Sequence, residues 1–281
     1  MTVVAHISDI HFGREVPEVV AALIADLAEA RPDVVVISGD LTQSASHRQF
    51  AAARTFLDRL PAPCLVVPGN HDIVSFPLWE LFLAPYRRWR RFVTTGLAPE
   101  WSNAALLIKG VNSARPFGPY LNWSRGMLSP AQIAAVAAAG RDPRVLMVAA
   151  HHPVAHGNDV ERDYDLVTRS GELLATLAAR PRSLVLLGHR HRSHVSLWSP
   201  TNGERPASSA ARLSPDDVLV VHAGTATSDR LRGEVNSWNR ITLADGGVDI
   251  EVRHYAGDRW VSASHLTLSW PGRAAAGATG P

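Results

Sequence analysis

The 281-residue chain has a single cysteine, a single lysine, no internal repeat, and no apolar run of about eighteen residues. Each shortage excludes something. Cys64, set in an apolar strand pattern, has no partner for an intramolecular disulfide. Without a long apolar run there is no candidate transmembrane helix. The chain opens directly into "TVVAHIS", without the basic start and apolar segment of a signal peptide, so a cytoplasmic protein is expected. Lys109 being the lone lysine, nearly every cation is an arginine, yet the net charge is only +2. The arginines are mostly scattered, as coding bias alone would scatter them. There is no dense basic stripe beyond 87–91, and hence no strong nucleic-acid signal. Low-complexity sequence is confined to the end, where the small, polar residues of 273–281 are expected to form a disordered tail.

With 46% hydrophobic and 19% charged residues, the remainder can build one large core, and a single domain is expected over 1–272. Short continuous apolar runs recur at 3–8, 34–38, 64–68, 145–150, 184–187 and 218–223, as in strands buried on both faces. Helical periodicity fills 17–30, 46–60, 128–140 and 170–180. Ser46 and Ser129 are placed to cap, and Pro130 sits at a first helical position. "ADGG" between "SWNRITL" and "VDIEVRHY" predicts a late antiparallel hairpin. The alternation predicts an α/β fold of stacked layers. One gap breaks the rhythm: about 75–128 reads as an inserted lid or rim.

Polar residues gather where the core strands end. Asp9 and His11 follow the first strand, Asp40 the second, Asn70, His71 and Asp72 the third. His151 and His152 follow the fourth, His189 and His191 the fifth. Strand-helix-strand units bring successive strand ends side by side on one sheet edge, where α/β sheets bind ligands. A histidine alone at a strand end is usually structural, and "GD" alone is a turn. As an ordered set, these are carboxylate, amide and imidazole donors without thiolate, suited to Mn, Fe, Zn or Co. Ten such residues are too many for one ion. They suit two divalent metal ions sharing a carboxylate, about 3.5–4 Å apart.

The ordered set "DIH", "GD", "GNHD", "HHP" and "GHRH", over 9–191, resembles the calcineurin-like metallophosphoesterase superfamily. The resemblance implies an α-β-β-α sandwich with mixed central sheets and a dinuclear metal site at the strand carboxyl ends. It assigns Asp9, His11 and His191 to one metal and Asn70, His151 and His189 to the other, with Asp40 as the bridge. His71 would face the phosphate, giving a hydrogen bond or a proton, and Asp72 would orient its ring. His152, the second histidine of "HHP", is a residue expected either behind the ligands or facing substrate. The reaction implied is hydrolysis by a metal-activated hydroxide, with no covalent enzyme intermediate.

"HISDIHFG", "HHP" and "GTATS" look most like the bacterial cyclic-nucleotide (class III) phosphodiesterase branch, making phosphodiesters the first choice of substrate. A pyrophosphatase acting on a nucleotide-sugar lipid is the alternative, with phosphomonoesterase activity and a non-enzymatic scaffold behind it. The aromatic and basic segment 77–95, with Arg87 and Arg88 as candidate substrate-binding residues, would grip an anionic substrate or touch a membrane peripherally. An ordinary surface helix or a dimer contact would show the same pattern, so a homo-oligomer stays open.

Overall fold

Alternate residues of each apolar run face different cores. In β2 (Val34–Ile37), Val34 and Val36 pack between two sheets, while Val35 and Ile37 pack against helices. In β7 (Ser183–Leu187), Leu184 and Leu186 enter the same inter-sheet core and Val185 and Leu187 the opposite helical one. A strand with apolar neighbours on both faces needs no polar alternation, which is why these segments read as continuous runs.

The computed structural model describes residues 1–117, 124–157 and 166–271. The expected tail over 273–281 lies outside them. The first sheet has the order β13 (Trp260–Ser269), β12 (Gly247–Tyr255), β11 (Ser237–Ala244), β1 (Thr2–Ile7), β2 and β3 (Cys64–Val66). The second runs β4 (Glu100–Ser102), β5 (Leu106–Gly110), β6 (Val145–Ala149), β7, β10 (Val218–His222), β8 (His194–Ser199) and β9 (Gly203–Pro206). Helices α1 (Pro17–Ala30), α2 (His47–Leu57) and α4 (Arg87–Phe92) cover the first sheet through Leu23, Leu27, Phe50 and Trp89. Helices α5 (Pro130–Ala137) and α6 (Ser170–Ala178) cover the second through Val136, Leu173 and Leu177. The result is an α-β-β-α sandwich with two mixed sheets. Ser46 and Ser129 each accept from the backbone three residues on, closing capping boxes with Gln49 and Gln132.

The long gap holds more than an insertion. Within 75–128, β5 pairs in parallel with β6, so this stretch is sheet. Lys109 and Gly110 interrupt its apolar run, and the antiparallel β4 beside it spans only three residues. What lies outside the sheet is chiefly α3 (Leu78–Leu83), α4 and the loop after β5.

Strands β1, β2 and β3 are parallel, as are β5, β6, β7 and β10. Their carboxyl ends therefore share one edge of each sheet, and backbone bonds tie the loops together there. Asp9 N donates to Gly39 O at 3.1 Å, Gly188 N to His151 O at 3.0 Å, and Ala226 N crosses between sheets to Ser8 O at 3.0 Å.

Candidate metal centre

Five of the seven residues assigned to metals have a left-handed backbone: Asp9 (φ 53°), His11 (52°), Asp40 (54°), His189 (72°) and His191 (58°). For residues other than glycine this conformation costs about 1–2 kcal/mol each. Such strain persists only where surrounding structure holds it, and it gathers at functional sites. Here the reversal directly after a strand turns each side chain back across the sheet edge.

The donor atoms converge from both sheets. His191 Nε2 lies 3.2 Å from Asp9 Oδ1 and 3.2 Å from His11 Nε2. Asn70 Oδ1 lies 3.2 Å from both His151 Nε2 and His189 Nδ1, and these two nitrogens are 3.2 Å apart. Asp40 Oδ2 stands between the groups, 3.7 Å from His11 Nε2 and 3.3 Å from His151 Nε2. The sequence-predicted ligands thus form two clusters joined through one carboxylate oxygen.

The outward-facing atoms set the orientation of these rings. His151 Nδ1 donates to Ser38 O at 2.7 Å and His191 Nδ1 to Arg230 O at 2.7 Å, leaving each Nε2 facing inward. Asp9 Oδ2 accepts from His189 N at 2.9 Å and Asp40 Oδ1 from His71 N at 2.9 Å, so each carboxylate turns its other oxygen inward. Inward-facing acceptors at such separations repel unless a cation or a shared proton lies among them. Bonds of about 2.0–2.2 Å to one ion separate adjacent ligands by roughly 3.0–3.5 Å, so the donor set fits divalent metal ions. The glycines leave the necessary room: a Cβ on Gly188 would stand 1.9 Å from Ser8 Oγ and 2.7 Å from Asp9 Oδ2.

Electrostatics follow from burial and pairing. Burial would raise the Asp9 carboxyl, but the facing rings of His191 and His11 hold it well below the usual carboxylate range. Burial would lower His151, yet the Asp40 carboxylate beside it pushes the ring up to about 9. Burial and the neighbouring His151 depress His189 to about 3.

His71 sits in a three-residue turn of 3-10 helix, Asn70–Asp72, at the mouth of the site. Its Nδ1 donates to Gln43 O at 2.7 Å, and its Nε2 accepts from Arg230 Nη1 at 3.0 Å. Burial pushes this ring below the ordinary histidine value; the Asp40 charge opposes, and the His11 and Arg230 charges add to the depression. The role expected of Asp72 is corrected. Its carboxylate accepts from the backbone of Leu41 (3.1 Å), Thr42 (2.9 Å) and Gly69 (3.0 Å), fastening one loop to another. The Gln43 carbonyl is what orients the His71 ring.

Two other expectations change. Arg88 is buried and donates to Glu80 at 2.6 Å and to the Ala45 and Phe76 carbonyls, so its guanidinium is engaged in packing and is not among the described residues that line the cleft. Arg87 is exposed, lies over the Trp79 ring at 5.9 Å and is not among the described residues that line the cleft. His152 joins His151 and His189 in a cluster of ring nitrogens. It is buried, with Nδ1 2.8 Å from Ser113 Oγ and its ring 4.9 Å from that of His189. Of the two alternatives for His152, the structure favours the place behind the ligands.

Beside the clusters lies a cleft of about 500 Å³, lined by Gln43, Ser44, Asn70, His71, Ile73, Val74, Leu81, Arg115 and Pro116 among others. Its walls are largely apolar, and Asn70 and His71 bring the metal-ligand loop to its lining. Sequence reasoning missed Gln43 and Arg230. The signal for Arg230 was one more strand end, since β10 runs parallel to β7 and finishes beside it. Thr225 and Thr227 in the following loop donate to the carbonyls of Asp9 (2.6 Å) and Ile10 (3.0 Å), which pins the loop across the site.

Comparison with known proteins bears on this geometry. The family model of the calcineurin-like phosphoesterases matches residues 2–193. The 3',5'-cyclic adenosine monophosphate phosphodiesterase CpdA of Escherichia coli is 26% identical over 240 residues, covering 81% of this chain and 76% of that protein. The glycerophosphodiester phosphodiesterase GpdQ of Enterobacter lignolyticus is 34% identical over 79 residues, 24% of this chain and 28% of that one. Among solved structures, a purple acid phosphatase from yellow lupin seeds superposes with a TM-score of 0.65 at 13% identity, over 95% of this chain and 53% of that one. That likeness is one of fold.

Proposed function

Since the chain belongs to the calcineurin-like phosphoesterase family and is a hydrolase of phosphoesters, we propose that it is a phosphodiesterase with a dinuclear metal centre, cyclic nucleotides being the first substrates to try. The observation that carries this reading is the pair of donor clusters sharing Asp40 Oδ2, beside an apolar-walled cleft that Asn70 and His71 help to line. An apolar wall is idle for free phosphate and useful for the organic groups of a diester. The named relatives that cleave diesters point the same way.

Asp9, His11 and His191 would hold one divalent cation, and Asn70, His151 and His189 the other, with Asp40 between them. When bound, such cations supply Lewis acidity and a nucleophilic water at neutral pH. The chain's own residues do the rest. The His71 backbone N–H donates to Asp40 Oδ1 at 2.9 Å and so fixes the orientation of the shared carboxylate. The guanidinium of Arg230, 3.0 Å from His71 Nε2 and 3.2 Å from Gln43 Oε1, stands where a phosphate oxygen would add a third partner. His71, expected from the sequence to give the phosphate a hydrogen bond or a proton, is in this frame a neutral acceptor that positions Arg230 instead. The reading keeps the enzyme cytoplasmic, in line with its lone cysteine.

The test is a metal-reconstituted panel of bis-p-nitrophenyl phosphate, p-nitrophenyl phosphate, cyclic AMP and a nucleotide-diphospho-lipid. Diester turnover well above monoester turnover is expected. Monoester preference would move the protein to the phosphomonoesterases, and preference for the last substrate to the pyrophosphatases. No turnover with both metals bound would leave a binding scaffold.

A further inference from the structure

Three residues that line the cleft are each followed in the chain by an exposed aromatic: Ser75 by Phe76, Leu81 by Phe82, and Pro116 by Phe117. Phe82 and Phe117 stack with ring centroids 4.8 Å apart, joining the two segments into one surface. Leu78, Trp79 and Leu83 extend it, and Phe76 and Leu83 are 76% and 80% exposed. Large side chains this open to solvent, grouped beside a catalytic cleft, mark an interaction surface.

Charge identifies the partner. Arg87, Arg90 and Arg91 are exposed on the next helix. The one acid between 75 and 95, Glu80, is buried and paired with Arg88. The surface therefore offers apolar groups and uncompensated positive charge together. A second copy meeting this face about a two-fold axis would bring the two arginine sets together, which is repulsive. An anionic lipid bilayer answers both features, taking aromatic and leucine side chains at headgroup depth and attracting the arginines.

We infer that Phe76, Leu78, Trp79, Phe82, Leu83 and Phe117, with the arginines of α4, form a docking face for an anionic bilayer, holding the cleft mouth at the level of the headgroups. Docking stands apart from the chemistry; only the claim that the cleft meets substrate there rests on the phosphodiesterase reading.

The experiment is sedimentation of the metal-loaded full chain with vesicles of phosphatidylglycerol and phosphatidylcholine, against phosphatidylcholine alone. Binding to the anionic vesicles, weakened by salt, is expected. Phe82→Ser/Leu83→Ser should weaken it at least tenfold, and Arg90→Gln and Arg91→Gln by roughly fivefold each. Turnover of soluble bis-p-nitrophenyl phosphate should be unchanged in all of them. It is measured alongside, so failed docking and failed diesterase activity are read separately. Absence of vesicle binding, or binding that ignores these substitutions, overturns the inference. So does a wild-type dimer in sedimentation velocity that Phe82→Ser/Leu83→Ser dissociates, which would assign the face to a second copy.

Discussion

The Arg230 guanidinium donates to Nε2 of His71 at 3.0 Å, while the opposite ring nitrogen donates to the Gln43 carbonyl at 2.7 Å. With both nitrogens committed, the ring holds one tautomer and its inner lone pair is already taken. A guanidinium charge therefore stands beside the His71 ring, next to the cleft that His71 helps to line.

Arg230→Met should lower kcat/KM for a diester by roughly 10- to 100-fold, the worth of a hydrogen bond to a charged group. Arg230→Lys should restore part of it. Both variants should keep their metals, because the carbonyl that receives His191 Nδ1 belongs to the backbone. The pH profile gives a second reading. The Arg230 charge lowers the His71 pKa, so removing it raises that pKa, and the ring's NMR titration should move to higher pH. An unmoved titration would mean the two side chains do not face each other in solution.

His71→Ala should retain two metal equivalents by elemental analysis and lower kcat/KM by no more than Arg230→Met does, roughly 10- to 100-fold. The distinction matters because His71 also stands within reach of His11 and Asp40. Loss of one metal equivalent would make it a ligand and overturn the positioning role.

That these donors converge was legible in the sequence because they lie within short motifs directly after strands, and strand ends are what apolar runs reveal. Asp9, Asp40 and Asn70 could be placed from their spacing of about one strand-helix-strand unit each, whereas their assignment to metals came from the resemblance. Gln43 was not, since it acts through its backbone carbonyl, which no side-chain chemistry announces. Asp72 was misread for the opposite reason: adjacency in "GNHD" hid that its oxygens face the loop after β2. Arg88 looked like its exposed neighbours, and only the three-dimensional position of Glu80 shows that it is spent on packing.

Gly188→Ala separates the two clusters. Its methyl group would meet Ser8 Oγ and Asp9 Oδ2 at 1.9 and 2.7 Å, displacing the carboxylate of the Asp9 cluster. Metal stoichiometry should fall from two toward one, with the Asn70–His151–His189 cluster still loaded and the circular dichroism spectrum retained. Two metals at wild-type affinity would show that Asp9 has slack the structure does not suggest.

Arg88→Met leaves Glu80 as an unpaired buried carboxylate and frees the Ala45 and Phe76 carbonyls. Removing one partner of a buried pair is costly, and a fall in Tm of roughly 5 °C or more is expected. Turnover of soluble diester below the transition should stay within about twofold. A Tm drop confirms a packing role, whereas a raised KM with unchanged Tm would return Arg88 to the substrate site.

Metal loading should release protons, and the direction follows from His151. In the metal-free protein the Asp40 carboxylate, 3.3 Å away, pushes the ring up to about 9, so at pH 7.5 it carries a proton. A cation needs the neutral ring and must displace that proton. Apparent metal affinity should therefore rise as pH rises toward 9, about tenfold per unit for each proton displaced, and level off above it. Calorimetric titration at pH 7.5 in buffers of different ionisation enthalpy measures the release directly. About one proton or more per fully loaded protein is expected, and an enthalpy independent of the buffer would show that the His151–Asp40 pair holds no proton for the metal to displace.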